Sequence, residues 1–159
     1  MPDWLTHSLI GWITGKTIKL DISLVVIGSL IPDISKLYLV SAWLLQRRTE
    51  TFFLPIHTPI GAVLIACVTA LFFQNMKKAL IPLGIGIATH FILDFFLLNV
   101  FGDPLLFPFS WDEWQLGLIR SDDYTMTIIA IVAAVVVYFL YFIYKKRKFI
   151  QNKNLRFFK

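Results

Sequence analysis

Charged residues and cysteine are both scarce in this chain. Only 16% of its 159 residues are charged, whereas about 25% is usual in soluble domains. The single cysteine, Cys67, has no partner within the chain, which excludes an internal disulfide framework and a cysteine-rich zinc site. A soluble fold would have to hide long apolar runs behind very few charges. The scarcity of charged residues therefore predicts a protein that is embedded in the lipid bilayer.

Basic residues are concentrated at the C-terminus. The formal net charge is +5, and the segment KKRKFIQNKNLRFFK begins at Lys145, directly after an apolar run. Such a cluster beside a hydrophobic helix is typical of a cytoplasmic anchor that meets anionic lipid headgroups. We therefore expect membrane lipids as partners of the chain, and no nucleic acid.

The apolar runs predict a single all-α domain over residues 1–159, an integral membrane helical bundle. We expect about four membrane helices and a short N-terminal helix that is interfacial or re-entrant, since residues 3–15 are too few to cross ~30 Å of hydrocarbon. Pro32 breaks or kinks the second segment because proline removes a backbone hydrogen bond. The predicted helices are 3–15, 21–45 broken at Pro32, 55–74, 79–101 and 124–145, followed by a basic tail over 145–159.

The lysines and arginines indicate an orientation in the membrane. If the spans alternate, Lys16, the pair Lys77–Lys78 and the C-terminal cluster share one side, which is then the cytoplasmic one. Arg47–Arg48 and Arg120 fall on the other side and oppose this assignment. The sequence thus predicts a multi-pass protein of the cell membrane with a cytoplasmic C-terminus.

Five ionisable residues interrupt the apolar sequence, and all three histidines of the chain are among them. They are His7, Asp33, His57, His90 and Asp94. A charge at membrane depth costs at least ~2.5–3.5 kcal/mol and persists only where something compensates it. His90 and Asp94 are four residues apart, so both project from one face of a helix.

One divalent metal ion would compensate all five groups. Neutral imidazole together with carboxylate is the ligand mixture expected for zinc, with manganese or magnesium as alternatives. The hypothesis takes His57, His90 and Asp94 as metal ligands. It takes Asp33 as a ligand or the general base, and His7 as a ligand or a supporting catalytic group.

Each of these residues also has a separate explanation. A histidine in an apolar segment is often a hydrogen-bonded packing residue, and an aspartate such as Asp33 after a proline is a common helix N-cap. His90 and Asp94 can form a simple pair between helices. Each explanation needs its own partner group, however, and the sequence offers few other polar residues at that depth. A shared site is therefore the simpler hypothesis.

At the same positions the chain resembles the YdjM-like family of membrane-bound, metal-dependent hydrolases. The matching segments run from His7 to about Trp111 and are DWLTHS, GSLIPDIS, LPIHTPIG, ATHFILDFF and PLLFPFSW. Their order and spacing are more specific than any single motif. The resemblance implies an inner-membrane hydrolase whose metal-dependent centre is formed by His7, Asp33, His57, His90 and Asp94.

Two positions depart from the family pattern. The family usually reads PDxD, but Ser35 replaces the second acid here. Five residues before His57, where the family often has a histidine, the chain has Phe52. These departures leave open whether the site holds a second ion and whether the protein is catalytically active.

The sequence leads to one principal hypothesis and two rivals. The principal hypothesis is a metal-dependent hydrolase of a lipid or lipid-linked (phospho)ester, with Arg120 or Arg47 near the headgroup. One rival is a small transporter or ion-binding protein, in which intramembrane His and Asp bind ions and the break at Pro32 lines a cavity. The other is a non-catalytic structural subunit whose polar groups join helices.

Overall fold

Helices account for most of the chain in the computed structural model, which describes residues 4–46, 50–98, 104–120 and 124–157. The α-helices are α1 (Trp4–Ile18), α2 (Ile22–Leu30), α3 (Tyr38–Leu45), α4 (Glu50–Phe53), α5 (Pro59–Ala70), α6 (Met76–Phe96) and α7 (Thr125–Phe157). Two 3-10 helices, Pro32–Leu37 and Leu54–His57, precede α3 and α5. Strands β1 (Leu97–Leu98) and β2 (Ile119–Arg120) pair in parallel. The predicted all-α bundle of the membrane type is confirmed.

Two described helices are long and apolar enough to cross a membrane, namely α6 and the part of α7 from Thr125 to Lys148. The helices Ile22–Leu30 and Pro32–Leu45 meet at an angle of 46° and make a third span if they cross together. The structure thus offers two or three spans where the sequence predicted about four. The difference lies at 55–74, where a 3-10 helix that ends at His57 is followed by the 12-residue α-helix α5, about 18 Å long.

The ends of the helices follow from local sequence. Pro59 occupies the first turn of α5, and the Thr58 hydroxyl accepts a hydrogen bond from the Gly61 backbone N–H at 3.1 Å, so α5 begins there. Asn75 caps α6 in the same way, which starts this helix earlier than the predicted residue 79. At the other end of the chain, α7 continues through the predicted basic tail because that segment contains no proline or glycine.

Helices α2 and α6 cross at very short distance, and glycines make the approach possible. A Cβ atom on Gly28 would overlap the backbone of Leu83, and one on Gly86 would overlap the carbonyl oxygen of Val25. Beside the crossing, α5 packs on α6 through small residues spaced four apart. The buried core consists of Leu24, Ile31, Ala62, Ala66, Ala70, Ala79, Leu83, Ile87 and Phe91.

Gly86→Ala is expected to destabilise the bundle, because its methyl group would meet the α2 backbone, which cannot yield as a side chain can. Overpacking of this kind costs typically about 1–3 kcal/mol. The matched control is Gly84→Ala, two residues away on the same helix, where an added Cβ has no neighbour within 4 Å. Thermal unfolding in detergent should show a lower midpoint for Gly86→Ala alone. Equal midpoints would mean that the crossing is looser than described.

The long helix α7 packs on α1 and leaves most of its apolar surface exposed. The hydroxyls of Thr6 and Thr127 lie 3.0 Å apart, and the Lys16 ammonium lies 3.6 Å from the ring centre of Tyr141. These two contacts run in the same order along both helices, so α1 and α7 are parallel. The exposed isoleucine, valine and phenylalanine side chains of α7 are the surface expected of a helix surrounded by lipid.

Candidate metal centre

All five ionisable residues singled out in the sequence lie together inside the bundle. Each is at most 5% exposed. His7 comes from α1, Asp33 from the 3-10 helix after α2, His57 from the 3-10 helix before α5, and His90 and Asp94 from α6. Residues far apart in the chain are therefore brought to one point by four separate segments.

Three side chains form a compact triangle of potential ligand atoms. His57 Nε2 and His90 Nε2 are 3.2 Å apart, and Asp94 Oδ2 lies 3.5 Å from the first and 3.2 Å from the second. Tetrahedral zinc with bonds of ~2.0–2.1 Å separates its ligand atoms by roughly 3.3 Å. The triangle therefore has the dimensions of a three-ligand site for one ion.

His7 and Asp33 lie beside this triangle. His7 Nε2 lies 3.4 Å from Asp94 Oδ1, and its ring stacks on that of His90 with the centroids 3.9 Å apart. Asp33 Oδ1 lies 3.9 Å from Nε2 of both His57 and His90. Two sets of three groups can hold a metal ion, His7 with His90 and Asp94, and Asp33 with His57 and His90. His90 belongs to both sets.

The orientation of His90 is fixed by the backbone of α2. Its Nδ1–H donates to the carbonyl oxygen of Ser29 at 2.8 Å, so in the neutral ring Nε2 carries a lone pair that faces the other ligand atoms. The Ser29 hydroxyl in turn donates to the carbonyl oxygen of His7 at 3.0 Å. Metal-binding histidines usually have such a partner on the other ring nitrogen. The close crossing of α2 and α6 thus positions a candidate ligand.

Several buried polar atoms of this cluster have no hydrogen-bond partner. Among the described residues, the buried side-chain nitrogen and oxygen atoms without a hydrogen bond are both ring nitrogens of His7 and both carboxylate oxygens of Asp33 and of Asp94. Unpaired groups of this kind are costly in a dry interior. A divalent cation would satisfy them, so the residues present fit a metal ion.

Burial also favours the neutral form of one candidate ligand. His7 lies on α1, which has 15 residues and is not one of the candidate spans. Loss of solvent on burial lowers the pKa of its imidazole below the ordinary value. A neutral ring retains one unprotonated nitrogen, the form in which histidine binds metal ions.

Lys36 touches the cluster and was not anticipated from the sequence. Its Nζ lies 2.7 Å from Asp33 Oδ1, a charge contact that lacks hydrogen-bond geometry. The only sequence signal was the three-residue spacing in PDISK, which places both side chains on one side of a 3-10 helix. The sequence predicted Arg120 or Arg47 near the substrate headgroup. Arg120 is exposed on β2, and Arg47 lies outside the described residues.

The two positions that depart from the family pattern have different surroundings. Ser35 is buried within the 3-10 helix that carries Asp33. Phe52 is 77% exposed, unlike the buried residues of the cluster.

An apolar cavity of about 200 Å³ lies against Asp33. Its other lining residues are Trp4, Leu30, Ile34 and Leu37. Trp4, Ile34 and Leu37 are also partly exposed on the outside of the bundle. The cavity therefore lies between Asp33 and the apolar surface of the protein.

The fold and the cluster define an integral membrane helical protein with a buried His/Asp site that can hold a metal ion. The profile of the YdjM inner membrane protein family matches residues 3–152, so the chain belongs to this family. The resemblance to the YdjM family is thereby confirmed, and the family supports a membrane location. Searches of the curated proteins and of the solved structures find no match.

Proposed function

We propose that this protein is a membrane-embedded, metal-dependent hydrolase. The observation that carries the proposal is the group of six buried histidine and aspartate atoms that lack hydrogen bonds, beside a triangle of ligand atoms 3.2–3.5 Å apart. Buried polar atoms are usually hydrogen-bonded, and a shared cation is the simplest group that would satisfy these atoms. Buried ionisable groups inside a membrane protein are typical of functional sites.

The proposed ligands are His57, His90 and Asp94, whose facing atoms have the closest spacing. Zinc is the ion favoured by two imidazoles and a carboxylate, with manganese or magnesium as alternatives. Three protein ligands leave a coordination position for the reaction, as catalytic sites require. These residues would hold a divalent ion, which would supply an activated water near neutral pH and polarise the oxygen of an ester.

Asp33 is the proposed general base. It is farther from the imidazoles than Asp94 is, and it alone among the five borders the cavity. In hydrolysis, the water oxygen forms a bond to phosphorus or to the acyl carbon, and the bond from that atom to the leaving oxygen breaks. Asp33 accepts one proton from the water and returns a proton to the leaving oxygen. His7 supports the scheme as a further ligand or by holding Asp94.

The proposed substrate is a lipid or a lipid-linked (phospho)ester. The cavity beside Asp33 is lined by apolar side chains and opens on the apolar surface. An amphiphile can place its hydrocarbon part there while its ester reaches the metal centre. Membrane lipids are therefore both the solvent and the source of the substrate in this proposal.

We propose that the protein crosses the membrane several times and that its site lies in the outer half of the membrane. Lys77 and Lys78 lie 16 to 17 residues before Asp94 on α6, a separation of about 24 Å. On α7, the reference point is Thr127, whose hydroxyl contacts that of Thr6 beside His7. The lysines that follow Tyr144 are similarly far from Thr127. The positive-inside rule then assigns the C-terminal end of α7 to the cytoplasm. A reporter enzyme active only outside the cytoplasm should stay inactive when fused there.

Elemental analysis of detergent-purified protein, combined with hydrolysis of a nitrophenyl ester of an alkyl phosphate, tests the proposal. Stoichiometric metal together with metal-dependent hydrolysis is the expected result. Metal-dependent ion flux into proteoliposomes without hydrolysis would support a transporter instead. Protein without stoichiometric metal that tolerates single His→Gln changes would support a structural subunit.

A further inference from the structure

Lys36 is a cation at the edge of the metal centre that the hydrolytic scheme leaves without a role. Its Nζ contacts Asp33 Oδ1 at 2.7 Å, and its side chain is 20% exposed. The contact leaves the ammonium with donors to spare, since Lys can donate three hydrogen bonds. A partly exposed ammonium in this position can therefore meet a second anion that approaches the centre.

The apolar cavity and Lys36 meet at the same residue, Asp33. Asp33 lines the cavity together with Ile34 and Leu37, and it contacts Lys36. In a 3-10 helix, residues three apart share one side, so Asp33 and Lys36 form one row and Ile34 and Leu37 form the next. A ligand at Asp33 thus has an apolar surface on one side and a positive charge on the other.

The charges of the described groups favour an anion with one negative charge. A divalent ion held by His57, His90 and Asp94 has no net charge together with the carboxylates of Asp94 and the adjacent Asp33, and neutral imidazoles add none. Lys36 then leaves the centre with one positive charge. A phosphodiester carries one negative charge and complements this centre, whereas a carboxylic ester carries none and makes no use of Lys36.

We propose, on the basis of the hydrolase function above, that Lys36 selects a phosphodiester amphiphile as the substrate. The singly charged phosphate binds between Lys36 and the metal centre. The hydrocarbon chain attached to it occupies the cavity lined by Leu30, Ile34 and Leu37. Lys36 is then the residue that sets the specificity for phosphodiesters over neutral esters.

A binding experiment with two matched probes tests this assignment. The zinc-loaded full chain in maltoside micelles is titrated with decyl(methyl)phosphinate, which has one negative charge and no hydrolysable bond, and with decyl(dimethyl)phosphine oxide, its neutral counterpart. Lys36→Gln should weaken phosphinate binding by roughly ten- to hundred-fold, the value of a hydrogen bond to a charged group. Lys36→Arg should restore much of the affinity, and binding of the phosphine oxide should not change.

Two further variants separate recognition from folding. Lys77→Gln removes an exposed lysine at the start of α6 and should bind the phosphinate like the wild type. Ile34→Trp keeps Lys36 but fills part of the cavity. It should weaken binding of decyl(methyl)phosphinate by about ten-fold and leave binding of dimethylphosphinate unchanged. Metal content and thermal midpoint are measured for every variant.

Three results would overturn the assignment. They are wild-type protein that does not bind the phosphinate, wild-type protein that binds the phosphine oxide equally well, and Lys36→Gln protein that keeps its phosphinate affinity. A Lys36→Gln protein that loses thermal stability but not affinity would make Lys36 a structural partner of Asp33. Because the phosphinate cannot be hydrolysed, binding without any hydrolytic activity would count against the proposed function alone. Hydrolysis that is independent of Lys36 would count against this inference alone.

Discussion

His90→Ala is expected to remove the bound metal ion and, with it, the hydrolytic activity. His90 Nε2 lies 3.2 Å from both His57 Nε2 and Asp94 Oδ2, and His90 belongs to both groups that can hold an ion. Supporting residues around metal ligands are worth 10- to 100-fold in affinity. The loss of a ligand should therefore exceed ~100-fold, and metal content after dialysis should fall from about one ion per chain to near zero.

The matched control for His90→Ala is Ile92→Ala on the same helix. Ile92 is 57% exposed and faces away from the cluster, so this variant should keep both its metal and its activity. Size-exclusion profiles and thermal midpoints show whether each variant is folded. A folded His90→Ala protein that retains one ion per chain after dialysis would rule out His90 as a ligand.

Asp33→Asn is expected to abolish most of the activity while leaving the ion bound. The triangle of His57, His90 and Asp94 does not include Asp33, whereas the proposed proton transfer needs its carboxylate. General base catalysis contributes typically ~10²–10⁴-fold, so kcat should fall by about that factor. Metal analysis and kinetics on the same preparation distinguish this loss from a loss of the ion.

Asp21→Asn is the matched control for the change at Asp33. Asp21 caps α2 through its side chain, and asparagine caps helices equally well, so both stability and activity should persist. If Asp33→Asn protein loses its ion, then Asp33 is a ligand and the base must be sought elsewhere. Unchanged kcat with the ion in place would remove Asp33 from the chemistry.

The residues of the cluster could be predicted from the sequence because each is costly in isolation. His7 and His57 are ionisable residues within apolar segments, and the four-residue spacing of His90 and Asp94 places both on one helix face. The order of short motifs shared with the family linked these separate segments. Their convergence is a property of the tertiary fold. The sequence only suggested it, because isolated ionisable groups at membrane depth are energetically costly.

The surroundings of the cluster could not be predicted in the same way. Lys36 looked like an ordinary charge beside a proline-broken helix, and only the 3-10 geometry turns it toward Asp33. The cavity is formed by Trp4 together with residues around Asp33, a contact between segments that no local pattern encodes. The backbone partner of His90 depends on the crossing of α2 and α6, and Gly28 and Gly86 did not reveal from sequence where the helices would touch.

Hydrophobicity predicted the membrane character of the chain better than its helix boundaries. The apolar run at 55–74 was long enough for a span, but Pro55, Pro59 and the Thr58 cap confine the regular α-helix to Pro59–Ala70. No sequence pattern predicted the pairing of β1 with β2, since each strand has only two residues. Short runs of this kind carry too little periodicity to be recognised.

X-ray absorption spectroscopy of the protein reconstituted with zinc tests most directly whether the buried histidines and aspartates bind one cation. The expected spectrum contains nitrogen and oxygen neighbours at ~2.0–2.1 Å and the outer-shell scattering of at least two imidazole rings. About one ion should be bound per chain. Protein that takes up no ion, or an ion surrounded by oxygen atoms without imidazole, would contradict the proposed metal centre.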